Sequence, residues 1–141
     1  MFEQWHYTIP LGTAEADRVS VECPISKGVI TRLVLQPMFG NENYGRCRVM
    51  VGAKIIAPRS SGGYITGNGF PVDSGPMEEP TKGNIPKLVW ELWNLDETYN
   101  HEWIMSCTWI ESDRPDELAE QMRKSNEYLK ALVESLVGVS M

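Results

Sequence analysis

The sequence predicts a mainly β protein, an antiparallel β-sandwich or jelly roll over residues 1–111 followed by one C-terminal α-helix within 112–141. Three observations carry this. Seven or eight short segments before residue 112 alternate apolar and polar side chains with period two, separated by Pro, Gly and Asn turn signals. No helix-length pattern alternates with them, which argues against a parallel α/β sheet. Beyond residue 112 the period changes to that of a single amphipathic helix.

Residues 3–9 read as a short strand stopped by Pro10, an extended N-terminal arm carrying Trp5 and Tyr7. In 17–23, Val19 and Val21 alternate with Arg18, Ser20 and Glu22, and Pro24 ends the run. In 29–36, Val29, Thr31, Leu33 and Leu35 share one face while Ile30, Arg32, Val34 and Gln36 share the other. Apolar residues on both faces predict a central strand. Residues 37–45 are rich in turn formers. In 46–51, Cys47, Val49 and Val51 point inward and Arg46, Arg48 and Met50 outward, and Gly52-Ala53 suits a two-residue hairpin turn into 54–57.

Residues 59–86 are the least regular, with Ser60-Ser61-Gly62-Gly63, Gly67-Asn68-Gly69 and four prolines. Tyr64-Ile65-Thr66 is a candidate edge strand within them. A loop of this length in a small domain is expected to interact or move. The strongest strands are 87–94 and 102–111. Leu88, Trp90 and Leu92 oppose Val89, Glu91 and Trp93; Trp103, Met105, Cys107 and Trp109 oppose Ile104, Ser106, Thr108 and Ile110.

Residues 113–137 form the helix. Ser112 or Asp113 caps it, Pro115 occupies its first turn, Asp116 and Glu117 suit the positive end of its dipole, and Gly138 stops it. Met122, Leu129 and Leu136 occupy one heptad core position; Leu118, Ser125 and Leu132 occupy the other. The charges lie on the outer positions, and the flanking positions hold the uncharged Ala119, Gln121, Asn126, Tyr128, Val133 and Ser135. The apolar stripe is therefore broader than a two-stranded zipper needs. Docking on the chain's own sandwich buries it, and so does packing on a symmetry mate or a neighbouring protein.

Composition narrows the function classes. A formal charge of −6 disfavours direct nucleic-acid binding, and five Trp argue against disorder. No apolar run reaches a membrane span, and the N-terminus lacks the basic and apolar regions of a secretory signal. Cys23, Cys47 and Cys107 are expected to be buried free thiols, since their number is odd and no ligand pairs stand at zinc spacing. No cofactor and no metal is expected. The only conventional bases are His6 and His101, and no nucleophile elbow occurs. His101 and Cys107 would share a strand face about 20 Å apart, too far for proton transfer. Gly62-Gly63 and Gly67-Asn68-Gly69 lack the following Gly-Lys-Ser/Thr of a phosphate loop. Asn94-x-Asp96-x-Thr98 echoes a calcium loop but lacks its central Gly and terminal Glu, so a side-chain-bonded turn is the default. No catalytic residue is assigned. Trp93, Asn94, Asp96, Tyr99 and His101 form a candidate ligand surface on which a sugar ring could stack.

Several motifs resemble a known group. They are Lys27-Gly28-Val29-Ile30-Thr31-Arg32, Val49-x-Val51-Gly52 followed by Ile55-Ile56-Ala57-Pro58, Gly63-Tyr64-Ile65-Thr66-Gly67-Asn68-Gly69, and Trp93-Asn94-x-Asp96 with His101. Across roughly residues 6–111 these are similar to small β-sandwich proteins encoded among the structural genes of tailed viruses. The resemblance implies a bacteriophage virion component, a decoration or cement protein of the capsid, assembled in the host cytoplasm, with no catalytic residue. Its partners would be itself, as a trimer or similar homo-oligomer, and the major capsid or other virion proteins. The helix after residue 112 lies outside the resemblance, but the arm, the irregular loop and the heptad helix read independently as contact surfaces, and the interface residues expected are Trp5, Tyr7, Tyr64, Leu118, Met122, Leu129, Leu132 and Leu136. The alternative is a glycan-binding module of a tail or surface device.

Overall fold

A computed structural model describes residues 1–59 and 63–139. Ser60, Ser61 and Gly62 of the irregular loop and the last two residues of the C-terminal segment lie outside the described residues. The strands are β1 (Phe2–Ile9), β2 (Val19–Pro24), β3 (Gly28–Pro37), β4 (Gly45–Val51), β5 (Lys54–Ala57), β6 (Val72–Asp73), β7 (Glu79–Pro80), β8 (Lys87–Asn94) and β9 (His101–Glu111), followed by helix α1 (Pro115–Val139). One sheet has the order β1-β9-β3-β6, with β7 also on β3; the other runs β2-β8-β4-β5. Every pairing is antiparallel. Apart from the β4–β5 hairpin and the β6–β7 connection, each connection crosses between sheets. The result is the expected β-sandwich with one C-terminal helix.

The inner faces follow the period-two pattern. Leu88, Trp90 and Leu92 of β8 meet Trp103, Met105, Cys107 and Trp109 of β9, and Cys47, Val49 and Val51 of β4 join them. In β3 the two faces exchange roles. A register shift between Ile30 and Arg32 marks a bulge, so Ile30 before it and Leu33 and Leu35 after it all face the core. The extra residue resets the alternation. Val29 is fully buried but lies outside the inter-sheet core. It sits on the outer face, where the start of α1 packs over β3 and β7.

Two expectations change. The N-terminal arm is an edge strand: β1 pairs with β9 from Phe2 opposite Thr108 to Ile9 opposite His101, and Trp5 and Tyr7 pack against the core. Their spacing with Ile9 puts all three on the inner face, and this burial competes with any partner contact. The described part of the irregular loop beyond residue 71 is also tied down. Met77 N–H donates to Thr31 O and Ser74 N–H to Leu33 O, while β6 and β7 pair with β3. Tyr64-Ile65-Thr66 contributes only a bridge, Ile65 against Cys47.

The helix buries its stripe on the chain's own sandwich only over its first turns. Pro115 and Ala119 are buried and Leu118 and Met122 half-buried, so the first two turns dock on the sandwich. Asn126 Nδ2 donates to Glu78 Oε1 at 2.5 Å. From Arg123 to Gly138 every residue is exposed, a length of about 24 Å. Leu129, Leu132 and Leu136 are between 45% and 66% exposed on the face that docks lower down.

Candidate functional site

The connection from β8 to β9 gathers the residues predicted as a ligand surface. Asn94 ends β8 and is fully buried. Its Nδ2 donates to Ile9 O (3.3 Å) and Tyr99 O (3.0 Å), and its Oδ1 accepts from Asp96 N–H at 2.9 Å. Asp96 Oδ1 accepts from Thr98 N–H (2.8 Å) and Tyr99 N–H (3.4 Å), and Oδ2 lies 2.8 Å from His101 Nε2. The Thr98 amide above all, and then His101, hold the Asp96 carboxyl below its usual range. Both carboxylate oxygens are thus engaged by the turn itself, and the motif is a pair of side-chain-closed turns. Among the described residues no group of three or more His, Cys, Asp or Glu is placed to hold a metal ion.

This corrects the stacking surface. Trp93 is 1% exposed, Asn94 is fully buried and His101 is buried. Trp93 lies on the outer face of β8, as its alternation requires, but that face is covered. Tyr64 packs edge-on against it with centroids 6.0 Å apart, and the Arg48 guanidinium lies 5.6 Å from its centroid. Arg46 in turn sits 4.4 Å over the Tyr64 ring. Tyr64, expected at an interface, spends one edge on Trp93. Of the five predicted ligand residues only Tyr99 presents its side chain openly.

The outer face of β8 also holds Glu91, a charged residue amid apolar ones. Arg18 Nε donates to Oε2 at 2.6 Å and Arg48 Nε to Oε1 at 2.7 Å. Burial pushes the Glu91 carboxyl up, but the bonds from Arg18 and Arg48 outweigh it and the net direction is down. A depressed carboxyl stabilises the fold above its unfolded value and ceases to do so as pH falls through the folded value. Glu91→Gln is expected to cost about 2 kcal/mol at neutral pH by urea denaturation. The gap to the wild type should narrow as pH falls below the ordinary glutamate range and close only once pH has passed through the lowered folded value, where the wild-type carboxyl also protonates. A pH-independent gap would assign the cost to packing.

The three thiols lie in the core, as expected. Burial pushes each up to about 12, so none is a thiolate at neutral pH.

Beside the turn lies a feature that sequence reasoning missed. Phe39, Glu42 and Tyr44, from the β3–β4 loop, face Asp96, Thr98, Tyr99 and Asn100 across an open cleft of about 600 Å³, with His101 in its lining. The buried Asn41 fixes the loop: its Nδ2 donates to Gly45 O and Gly67 O, and its Oδ1 accepts from Gly45 N–H. Asn68 Oδ1 accepts from Gly40 N–H and Glu42 N–H. Glu42 and Asn43 adopt left-handed φ values of 46° and 67°, a conformation that costs a non-glycine residue about 1 kcal/mol. The signal in the sequence was two aromatics inside a turn-rich segment, Phe39 and Tyr44.

Compared with family models, curated proteins and solved structures, the chain matches none.

Proposed function

We propose that this chain is a non-enzymatic structural component of a tailed-virus virion, of the capsid decoration or cement type. It acts through contacts between subunits, as a homo-oligomer in which a trimer is favoured. The observation that carries the reading is the helix that leaves the sandwich. Its first turns are anchored under Pro115, Leu118, Ala119 and Met122, and its Leu129, Leu132 and Leu136 seam continues with solvent on it. A solitary helical segment of this length is marginal in water, and packing of an apolar face is what stabilises such segments. Uncharged residues flanking the seam widen it beyond two strands, which favours three.

The virion assignment draws its support from the motifs of β3, the β4–β5 hairpin and the β8–β9 turn. The capsid or a neighbouring virion protein would then be the second partner, after assembly in the host cytoplasm. Purification of virus particles from a producing culture tests it. The protein should cosediment with particles at a fixed copy number relative to the major capsid protein. Its absence from purified particles overturns the reading.

A further inference from the structure

We propose that the cleft between the β3–β4 loop and the β8–β9 turn binds a neutral glycan, by stacking hexopyranose rings on Tyr44, Tyr99 and Phe39. The inference stands apart from the assembly reading and uses different residues.

The first argument is the display of aromatic rings to solvent. Phe39 is 75% exposed and Tyr99 67%, positions where hydrophobic burial gives no reason for an aromatic. Both are nonetheless held. The Phe39 ring rests on Gly69, where a Cβ would come within 2.3 Å of it, and Phe70 packs edge-on at 5.9 Å. The Tyr99 backbone is clamped on both sides, its carbonyl by Asn94 and its N–H by Asp96. A ring held in place, as at Phe39, and a backbone held in place, as at Tyr99, lose little entropy on contact, which suits weakly polar ligand faces.

The second argument is the polar lining. Glu42, Thr98 and Asn100 stand among the rings, and no lysine or arginine lines the cleft. Glu42 makes no side-chain ion pair or hydrogen bond among the described residues. Asn100 Oδ1 accepts from Leu11 N–H at 2.8 Å, which leaves its amide N–H groups, the Thr98 hydroxyl and the Glu42 carboxylate to meet sugar hydroxyls, and the lack of cations disfavours phosphate, sulfate and sialic acid. Asp96 contributes shape only, because its oxygens are engaged by the turn. A metal ion would find one available carboxylate. The third argument is form: the cleft is open to solvent and not an enclosed cavity, which leaves room for a chain larger than one sugar. The strained Glu42 and Asn43 backbone fits this placement, since such conformations concentrate at ligand sites.

The test titrates the whole protein with neutral hexasaccharides of glucose, galactose, mannose and N-acetylglucosamine, followed by tryptophan-independent NMR shifts of the Tyr44 and Tyr99 amides. At least one series should shift both amides. Tyr99→Ala should weaken that binding about tenfold, whereas Tyr99→Phe, which keeps the ring face, should retain most of it. Oligomeric mass, measured on the same samples, should not change in either variant. Failure of all four series to shift the cleft amides overturns the proposal. So does loss of self-association in Tyr99→Ala, which would make the cleft a subunit contact.

Discussion

On the proposed assembly, Leu129→Asp is expected to convert the oligomer into monomers without unfolding the sandwich. In the single chain Leu129 is more than half exposed, so a charge there costs the monomer only about 0.5 kcal/mol or less. In a helical trimer the same position faces its equivalents, and each leucine contributes about 1.5–3 kcal/mol on burial. Summed over three subunits the loss is about 5 kcal/mol, more than a thousandfold in the association constant, before the cost of burying carboxylates is added. Light scattering after size exclusion reads the mass, and thermal melting of the same sample reads the fold. A variant that stays assembled, or a monomeric wild type that merely melts lower once substituted, would place the seam against the chain's own body.

Asn94→Ala should lower stability by about 3 kcal/mol, roughly a 10 °C drop in Tm for a domain of this size. The substitution leaves Ile9 O, Tyr99 O and the Asp96 N–H without the side-chain partner that satisfies them. These groups belong to the end of β1 and to the β8–β9 turn, so β8, which Asn94 ends, loses its side-chain tie to both. Asn94→Asp should be at least as harmful, because a carboxylate cannot donate to the two carbonyls and adds a buried charge. A small effect in urea or thermal unfolding would return Asn94 to the role of a ligand contact.

Much of the fold was legible because strands with one buried face advertise it. The alternation in 46–51 and 102–111 matches the buried faces of β4 and β9 residue for residue. β3 was legible as central but for a different reason. Its two apolar faces are joined by a bulge, which a strict period of two cannot reveal. The arm was legible as a strand but its partner was not, because pairing is a property of the neighbour: nothing in Phe2–Ile9 states that β9 has an open flank beside it. Glu91 gave a visible signal, a charge within Leu88–Trp93, but its two arginines come from β4 and the residue before β2, distant in sequence. The candidate ligand surface failed at Trp93 for a related reason. Sequence places a residue on an outer face, yet only the long connection after β5 decides that Tyr64 crosses over it. The cleft of Phe39, Tyr44 and Tyr99 joins two loops that share no motif, so it emerges only once both are placed at one end of the sandwich.

The most direct measurement of whether subunit contact is this molecule's business is the solution mass of the intact chain by analytical ultracentrifugation at micromolar concentration. A species of three protomers, reverting to one with Leu129→Asp, is expected. A single protomer at every concentration, with the helix folded and its leucines in water, would contradict the assembly role.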